Sequence, residues 1–157
     1  LAAAQAPGAP LVQADKPGDI LLDGGVKKGN AAAAFASCAA IAEATFETGF
    51  VEHAYIEPEA GWARRIGERL EIHVTTQTHY MDRDEMALVM KLKQEQIRIV
   101  PSACGGGFGG KLDMSVQPLI GVAAWLLDKP VACVYARPES MASSTKRHPS
   151  RIRIKSG

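Results

Sequence analysis

The sequence predicts an α+β fold, a mixed sheet with helices, on three observations. Leu70-Glu-Ile-His-Val-Thr-Thr76 alternates apolar and polar residues, the period of a strand with one buried face. Ser115 to Leu127 is apolar over a length that suits a helix better than a strand. Between this helix and a β-type run, Ile97 to Val100, lies Val100-Pro-Ser-Ala-Cys-Gly-Gly-Gly-Phe-Gly-Gly-Lys-Leu112, with five glycines around one phenylalanine. Glycine lets bare backbone come close to a neighbour, at an entropic cost. Amides in such a loop are expected to face an anion.

The remaining elements follow in order. Residues 1–30 carry Ala, Gly, Pro and Asp punctuation and read as a connector or partly ordered segment. Asn30 caps a short Ala-rich helix through Ala34, and Ala44 to Val51 alternates as a strand. A second strand is expected at Ala54 to Ile56, followed by a turn or hairpin tip at Pro58, Gly61 and Trp62. Asp82 and Glu85 have capping-box spacing and would open a helix with Met86, Val89 and Met90 on one face. A strand at Gln96 to Val100 precedes the glycine loop. Val131 to Tyr135 is a further strand after the Ser115 helix, and an alternating stretch precedes Lys155-Ser-Gly157.

Composition narrows the class. The chain has 157 residues, a formal net charge of +1 and 46% hydrophobic content, so it carries neither a nucleic-acid footprint nor a disordered composition. A chain of this size is one domain's worth and buries about two thirds of its unfolded surface. The longest uncharged apolar stretches, Ala31 to Ala42 and Ser115 to Leu127, are too short to span a membrane. Leu1 to Ala14 lacks the basic start of a signal peptide. Cys38, Cys104 and Cys133 are odd in number without C-x-x-C spacing, which predicts reduced thiols and a cytoplasmic setting.

Three readings of the loop stay open on its letters alone. Gly105, Gly107 and Gly110 satisfy G-x-G-x-x-G, the dinucleotide spacing, although Pro101 to Cys104 separate the strand from the first glycine. Gly105, Gly110 and Lys111 match part of a phosphate-binding P-loop, but Leu112 cannot supply its hydroxyl. A structural turn is the third, though five glycines exceed what a turn needs.

Glu52-His-Ala-Tyr-Ile-Glu-Pro-Glu59, Thr75-Thr-Gln77, Gly105-Gly-Gly-Phe-Gly-Gly-Lys111, Arg137-Pro-Glu-Ser140 and Lys146-Arg-His-Pro149 occur in this order. Together they resemble the molybdopterin-binding subunit of the xanthine dehydrogenase and aldehyde oxidase family, the molybdenum hydroxylases, from roughly Glu43 onward. The resemblance implies that residues 31–157 are the N-terminal part of a larger molybdopterin-binding domain, because the family's molybdenum subunit is several times longer. It implies oxidation of an aromatic N-heterocycle (xanthine-like) or an aldehyde by insertion of a water-derived oxygen. The cofactor would be molybdenum-molybdopterin, in its plain or cytosine-dinucleotide form. The pterin holds the metal, so no Cys/His metal-ligand set is required of the protein. FAD and iron-sulfur clusters would lie on other domains or subunits, alongside the remaining part of the molybdenum subunit. That remainder would carry the family's general base, a glutamate, so this chain is not expected to turn over alone.

The resemblance assigns roles residue by residue. Gln77 matches the glutamine that hydrogen-bonds an oxygen ligand of molybdenum, and an amide donates without adding charge. Gly106, Gly107, Phe108 and Gly109 match the backbone that approaches the cofactor, with the Phe108 ring closing one wall of the substrate pocket. Arg147 matches an arginine that pairs with a substrate oxygen. Leu112 stands where xanthine-oxidising members carry a glutamate, which shifts the expectation toward aldehydes or other heterocycles. Glu52, His53, Glu57 and Glu59 read as structural, Cys104 as a small buried thiol, and Lys146, Arg151, Arg153 and Lys155 as solvated charges.

Overall fold

Leu70, Ile72 and Val74 alternate along β3 (Arg69–Val74), and each is at most 1% exposed. That places β3 in the middle of a sheet. In the structure, a computed structural model describing residues 3–157, the four-stranded sheet has the order β4-β3-β2-β5. Its other strands are β2 (Ala60–Ile66), β4 (Ile97–Pro101) and β5 (Val131–Val134).

β2 and β3 form an antiparallel hairpin, with Ile66 opposite Arg69 and Gly67 at φ 58° in the turn. β3 and β4 run parallel, with Leu70 opposite Ile97, and β5 pairs antiparallel with β2. The parallel pair requires a crossover, which α2 (His79–Met90) provides. α3 (Gln117–Leu127) connects β4 to β5. Met86 from α2 and Val116, Ile120 and Ala124 from α3 and its start close the core over Ala63, Leu70, Ile72, Val74 and Ile97. The fold is α+β, and its sheet is mixed.

Two compact units divide the chain, Leu1–Ala44 with Ile154–Gly157, and Thr45–Arg153. The smaller one contains α1 (Ala31–Ala34), capped as expected by Asn30, whose side-chain oxygen accepts from the Ala33 amide at 3.1 Å. β1 (Ala42–Thr48) and β6 (Ser150–Ser156) form a separate two-stranded sheet. Residues 3–30 hold a single 3-10 turn, Pro17–Asp19.

Several expectations are corrected. Ala54 to Ile56 is not a strand, because Ala54 takes φ 49° and Tyr55 is drawn fully inside. Gly61 and Trp62 lie within β2 and form no turn. The inward positions of β2 are Gly61, Ala63 and Arg65, too small or too polar to read as a strand's apolar face. The small size of Gly61 and Ala63 lets α3 approach, and a Cβ on Gly61 would lie 2.8 Å from His73 O and 3.1 Å from Ile120 Cδ1. α2 begins at His79, so Asp82 is no cap; it is fully buried and accepts from Gln117 Nε2 at 3.0 Å. Met86 is buried, but Val89 is half exposed. The segment Arg137–Ser143 is a helix, α4, with the Glu139 carboxylate accepting from the Ala136 amide at 2.7 Å.

The other face of the sheet is polar. Glu71, 6% exposed, meets Arg64 at 2.8 Å, His73 at 3.0 Å and Arg98 at 3.3 Å, and the His73 ring stacks on Trp62. One carboxylate thus joins β2, β3 and β4 across the pleat.

Gly61→Ala is expected to cost about 1–3 kcal/mol, because the clash is with backbone and cannot relax through a side chain. Urea unfolding with an unchanged m value checks it, and a loss below about 0.5 kcal/mol would mean that α3 does not press on β2.

Candidate functional site

Parallel β3 and β4 end on the same side of the sheet, so the residues that follow each are delivered to one place. Ligands of open α/β sheets commonly gather at such carboxyl ends. After β3 come Thr75 and Thr76, both buried, and then Gln77, which is exposed. The turn is tied locally, as the Thr78 amide donates to Thr76 Oγ1 at 3.0 Å and Thr78 Oγ1 donates to Leu112 O at 2.8 Å. Beyond β4, the Ser102 amide donates to Val74 O at 3.0 Å, and the chain enters the glycine loop.

Gln77 and the loop interlock. Gln77 Oε1 accepts from the Gly109 amide at 3.1 Å and the Lys111 amide at 3.2 Å, and the Gln77 backbone N–H donates to Lys111 O at 3.1 Å. Two backbone donors fix the flip of the side-chain amide, since only its oxygen can accept from them. Nε2 is thereby turned away, free to donate elsewhere. A Cβ on Gly107 would overlap Gln77 Oε1 and lie 2.7 Å from Cδ, so this position must be glycine. A Cβ on Gly106 would lie 3.0 Å from Tyr55 Cβ.

The loop crest is strained, with Gly107 buried and Phe108 exposed. Gly106, Phe108 and Gly109 have φ of 108°, 51° and 91°. For Phe108 that conformation costs about 1–3 kcal/mol, and the ring recovers little by burial at 75% exposure. The amides of Gly105, Gly109, Gly110 and Lys111 are bonded within the protein, to Glu57 Oε2, Gln77 Oε1, Gly107 O and Gln77 Oε1. Those of Gly106, Gly107 and Phe108 have no acceptor among the described residues. Three consecutive free donors beside the Gln77 amide make a site for an anionic group.

Lys111 anchors this arrangement from behind. It is 3% exposed, with Nζ 2.8 Å from Glu57 Oε2, 3.3 Å from Thr75 Oγ1 and 4.7 Å from the centre of the Tyr55 ring. Tyr55 donates in turn to buried Glu59. A lysine so enclosed cannot reach a phosphate, and α3 starts only at Gln117, so the loop does not sit on a helix N-terminus. The P-loop geometry is absent. The dinucleotide turn, which needs the helix to begin at the loop, is absent as well.

A second feature adjoins the loop. A cleft of about 420 Å³ is lined by Phe50, His53, Gly109, Leu112, Asp113 and the segment Thr145 to His148. It brings Leu112 and Arg147 together next to Gly109; Phe108 is not among its lining residues. Arg147 Nη2 donates to Gly49 O at 3.1 Å, and the Arg147 backbone bridges Val51. Lys146 is not the solvated charge expected: its ammonium lies 2.7 Å from Glu52 Oε2 and also donates to Ser144 O. Cys104 is exposed, not buried, with Sγ 3.3 Å from Gly106 O. Arg151 pairs with Glu47 at 3.0 Å on the surface. Among the described residues, no group of three His, Cys, Asp or Glu could hold a metal ion.

Burial opposes the charge on Glu57, but hydrogen bonds from Lys111 and the Gly105 amide outweigh it and lower its pKa from 4.5. Glu52 shifts down in the same way, burial being outweighed by Lys146 and Ser144. Glu71 is lowered chiefly by the hydrogen bond from His73, against burial. Asp82 moves up from 3.8, because burial exceeds what Thr76 and Gln117 return.

A glycine cradle and a fixed amide thus lie together at the carboxyl ends of two parallel strands. The chain belongs to the molybdopterin cofactor-binding domain family, whose model matches residues 12–157. It is 40% identical over 130 residues to the nicotinate dehydrogenase large molybdopterin subunit of Eubacterium barkeri, covering 82% of this chain and 31% of that protein. It is 35% identical over 141 residues to a probable xanthine dehydrogenase subunit of Bacillus subtilis (strain 168), covering 89% of this chain and 19% of that one. The aldehyde oxidoreductase from Desulfovibrio gigas superposes with a TM-score of 0.77 at 25% identity, over 97% of this chain and 17% of that one. The chain thus spans less than a third of the length of each.

Sequence reasoning did not find the anchoring role of Lys111 and Glu57, or the place of His53 in the cleft. The signal lay in the segment Glu52 to Glu59, from which Tyr55 and Glu57 reach the loop at Gly105, Gly106 and Lys111.

Glu57→Gln leaves the Lys111 ammonium buried without a counterion, and the expected loss is about 3 kcal/mol. The sign with pH follows from depressed carboxylates. Glu52, Glu57 and Glu71 contribute stability that is complete above about pH 4.5 and lost as pH falls through their lower folded values. Asp82, with its folded value raised, contributes in the opposite sense, its share being lost as pH rises from 3.8. Thermal melts between pH 3 and 7 are expected to show a shallower acid limb in Glu57→Gln; an unchanged limb would refute the pairing.

Proposed function

We propose that this chain forms the molybdenum-facing part of an oxidoreductase that hydroxylates an aromatic N-heterocycle or an aldehyde, using molybdopterin-bound molybdenum. The observation that carries the reading is the set of free donors, the amides of Gly106, Gly107 and Phe108 with Gln77 Nε2, on a cradle that a single Cβ at Gly107 would fill. The donors suit an anionic oxygen- and sulfur-ligated centre, so the residues fit the group. When bound, the cofactor supplies two-electron oxidation with transfer of a water-derived oxygen to an electron-poor carbon.

The chain's own residues bind and orient. Gln77 Nε2 and the Gly106 to Phe108 amides hold the anionic face, and they are pre-set by the protein so that little reorganises during reaction. Gly109 brings the loop to the edge of the cleft. There Arg147 would hold an acceptor oxygen of the substrate and stabilise charge that builds on the ring, while Leu112 supplies apolar contact. Phe108, exposed at the crest, would wall the site and exclude water once the rest of the subunit is in place.

In this reading residues 31–157 are one part of a larger molybdopterin-binding domain, preceded by a connector. The remaining part of the molybdenum subunit provides the base that activates water. Iron-sulfur and flavin domains or subunits carry electrons away. The cysteine usage supports a cytoplasmic setting in this reading. Among the described residues no helix is long and apolar enough to cross a membrane.

The test is molybdenum content. Gly107→Ala pushes into the Gln77 amide, and Gln77→Leu removes it; each is expected to lower bound molybdopterin by about tenfold or more, as loss of supporting ligand contacts does. Lys129→Ala, remote on the surface, serves as control. Full molybdenum content in both variants would refute the assignment.

A further inference from the structure

His53 lines the cleft with Phe50, Gly109, Leu112 and Arg147, yet neither the cofactor contacts nor the Arg147 assignment uses it. Its Nδ1 is shut off from solvent and has no hydrogen-bond partner. The cause is the glycine loop, since a Cβ on Gly110 would lie 2.9 Å from Nδ1 and one on Gly109 would lie 3.9 Å from Nε2. Nδ1 therefore faces the Gly110 backbone; the nearby Gly107 O already accepts from the Gly110 amide and makes no hydrogen bond with Nδ1.

A neutral imidazole carries one N–H, on either nitrogen. A buried N–H without an acceptor is among the rarest of unsatisfied groups, whereas a lone pair turned toward a Cα–H is tolerated. The ring proton accordingly belongs on Nε2, which is not among the enclosed atoms and can donate into the cleft.

The charges around it decide what would accept. Lys146 is neutralised by Glu52 at 2.7 Å. Arg147 has a backbone carbonyl for a partner, Gly49 O, and no carboxylate within ion-pair reach; Asp113 lines the cleft without pairing to it. Phe50 and Leu112 add apolar surface. An aldehyde or a neutral ring would leave the guanidinium covered and uncompensated, while a carboxylate offers it two oxygens and keeps lone pairs for a further donor.

We propose that His53 is a specificity-determining residue, its Nε2–H and the Arg147 guanidinium together recognising the carboxylate of a heteroaromatic acid. This rests on the cleft being the substrate site, as proposed above.

The test titrates this 157-residue chain, labelled with 15N in its histidine rings, with pyridine-3-carboxylate and with uncharged pyridine-3-carboxamide. Expected are an Nε2–H tautomer at His53, a saturable shift of its Nε2 resonance, and binding about tenfold tighter for the carboxylate. His53→Phe is expected to reduce that preference about tenfold, and His53→Gln, which retains a donor near the same place, to keep most of it. An Nδ1–H tautomer, absence of saturable binding, or a preference unchanged in His53→Phe would overturn the proposal. The tautomer and the shift in the unaltered chain decide the matter even if His53→Phe fails to fold. Molybdopterin binding through Gln77 is a separate readout, so failure here with that binding intact overturns the substrate class and leaves the cofactor assignment standing.

Discussion

Taking an ammonium ion out of water costs several kcal/mol, and this chain does so at Lys111, directly behind the glycine loop. Glu57 and the face of Tyr55, from one stretch of chain, and Thr75, from the end of β3, surround the charge. The backbone on either side of that buried charge is then committed, because Lys111 N and O both bond to Gln77. Glu57 is committed too, since it takes the Gly105 amide as well as the lysine. The loop is thus held at both ends, and between Gly105 and Lys111 the amides without an acceptor among the described residues are those of the crest, Gly106 to Phe108. Strain at Phe108 is sustainable because the flanks leave the crest nowhere else to go.

The sheet makes that arrangement possible. A parallel pair places Gln77 and the loop at one end, and an antiparallel pair could not, since its strands would deliver them to opposite ends. Buried Asp82, held by Gln117, ties the start of α2 to α3 beneath the Thr76–Thr78 turn. The helix side therefore supports the amide whose flip decides whether the site presents a donor or an acceptor.

Much of this was legible in the letters. β3 declared itself by strict alternation, α3 by its apolar length, and α1 by Asn30. The glycine loop and Gln77 were legible as a pair because five spaced motifs resemble one family. What was not legible has a physical cause. β2 hid because its inward residues are Gly61, Ala63 and Arg65, chosen for the approach of α3 and not for hydrophobicity. α2 hid its start because Asp82, which looks like a cap, is a buried partner of Gln117. Lys111 resembled a phosphate-binding lysine by spacing, and only three-dimensional enclosure reveals it as an anchor. Lys146 looked solvated for the same reason, its partner Glu52 being 94 positions away in sequence.

In the proposed function, the free amides of the crest, with Gln77 Nε2, receive the molybdopterin centre. Residue-resolved hydrogen exchange, with and without bound molybdopterin, tests it most directly. The amides of Gly106, Gly107 and Phe108 are expected to slow by about tenfold or more on binding, while that of Gly110, already bonded to Gly107 O at 2.7 Å, changes little. Crest amides that exchange as before, with protection arising elsewhere in the chain, would contradict it.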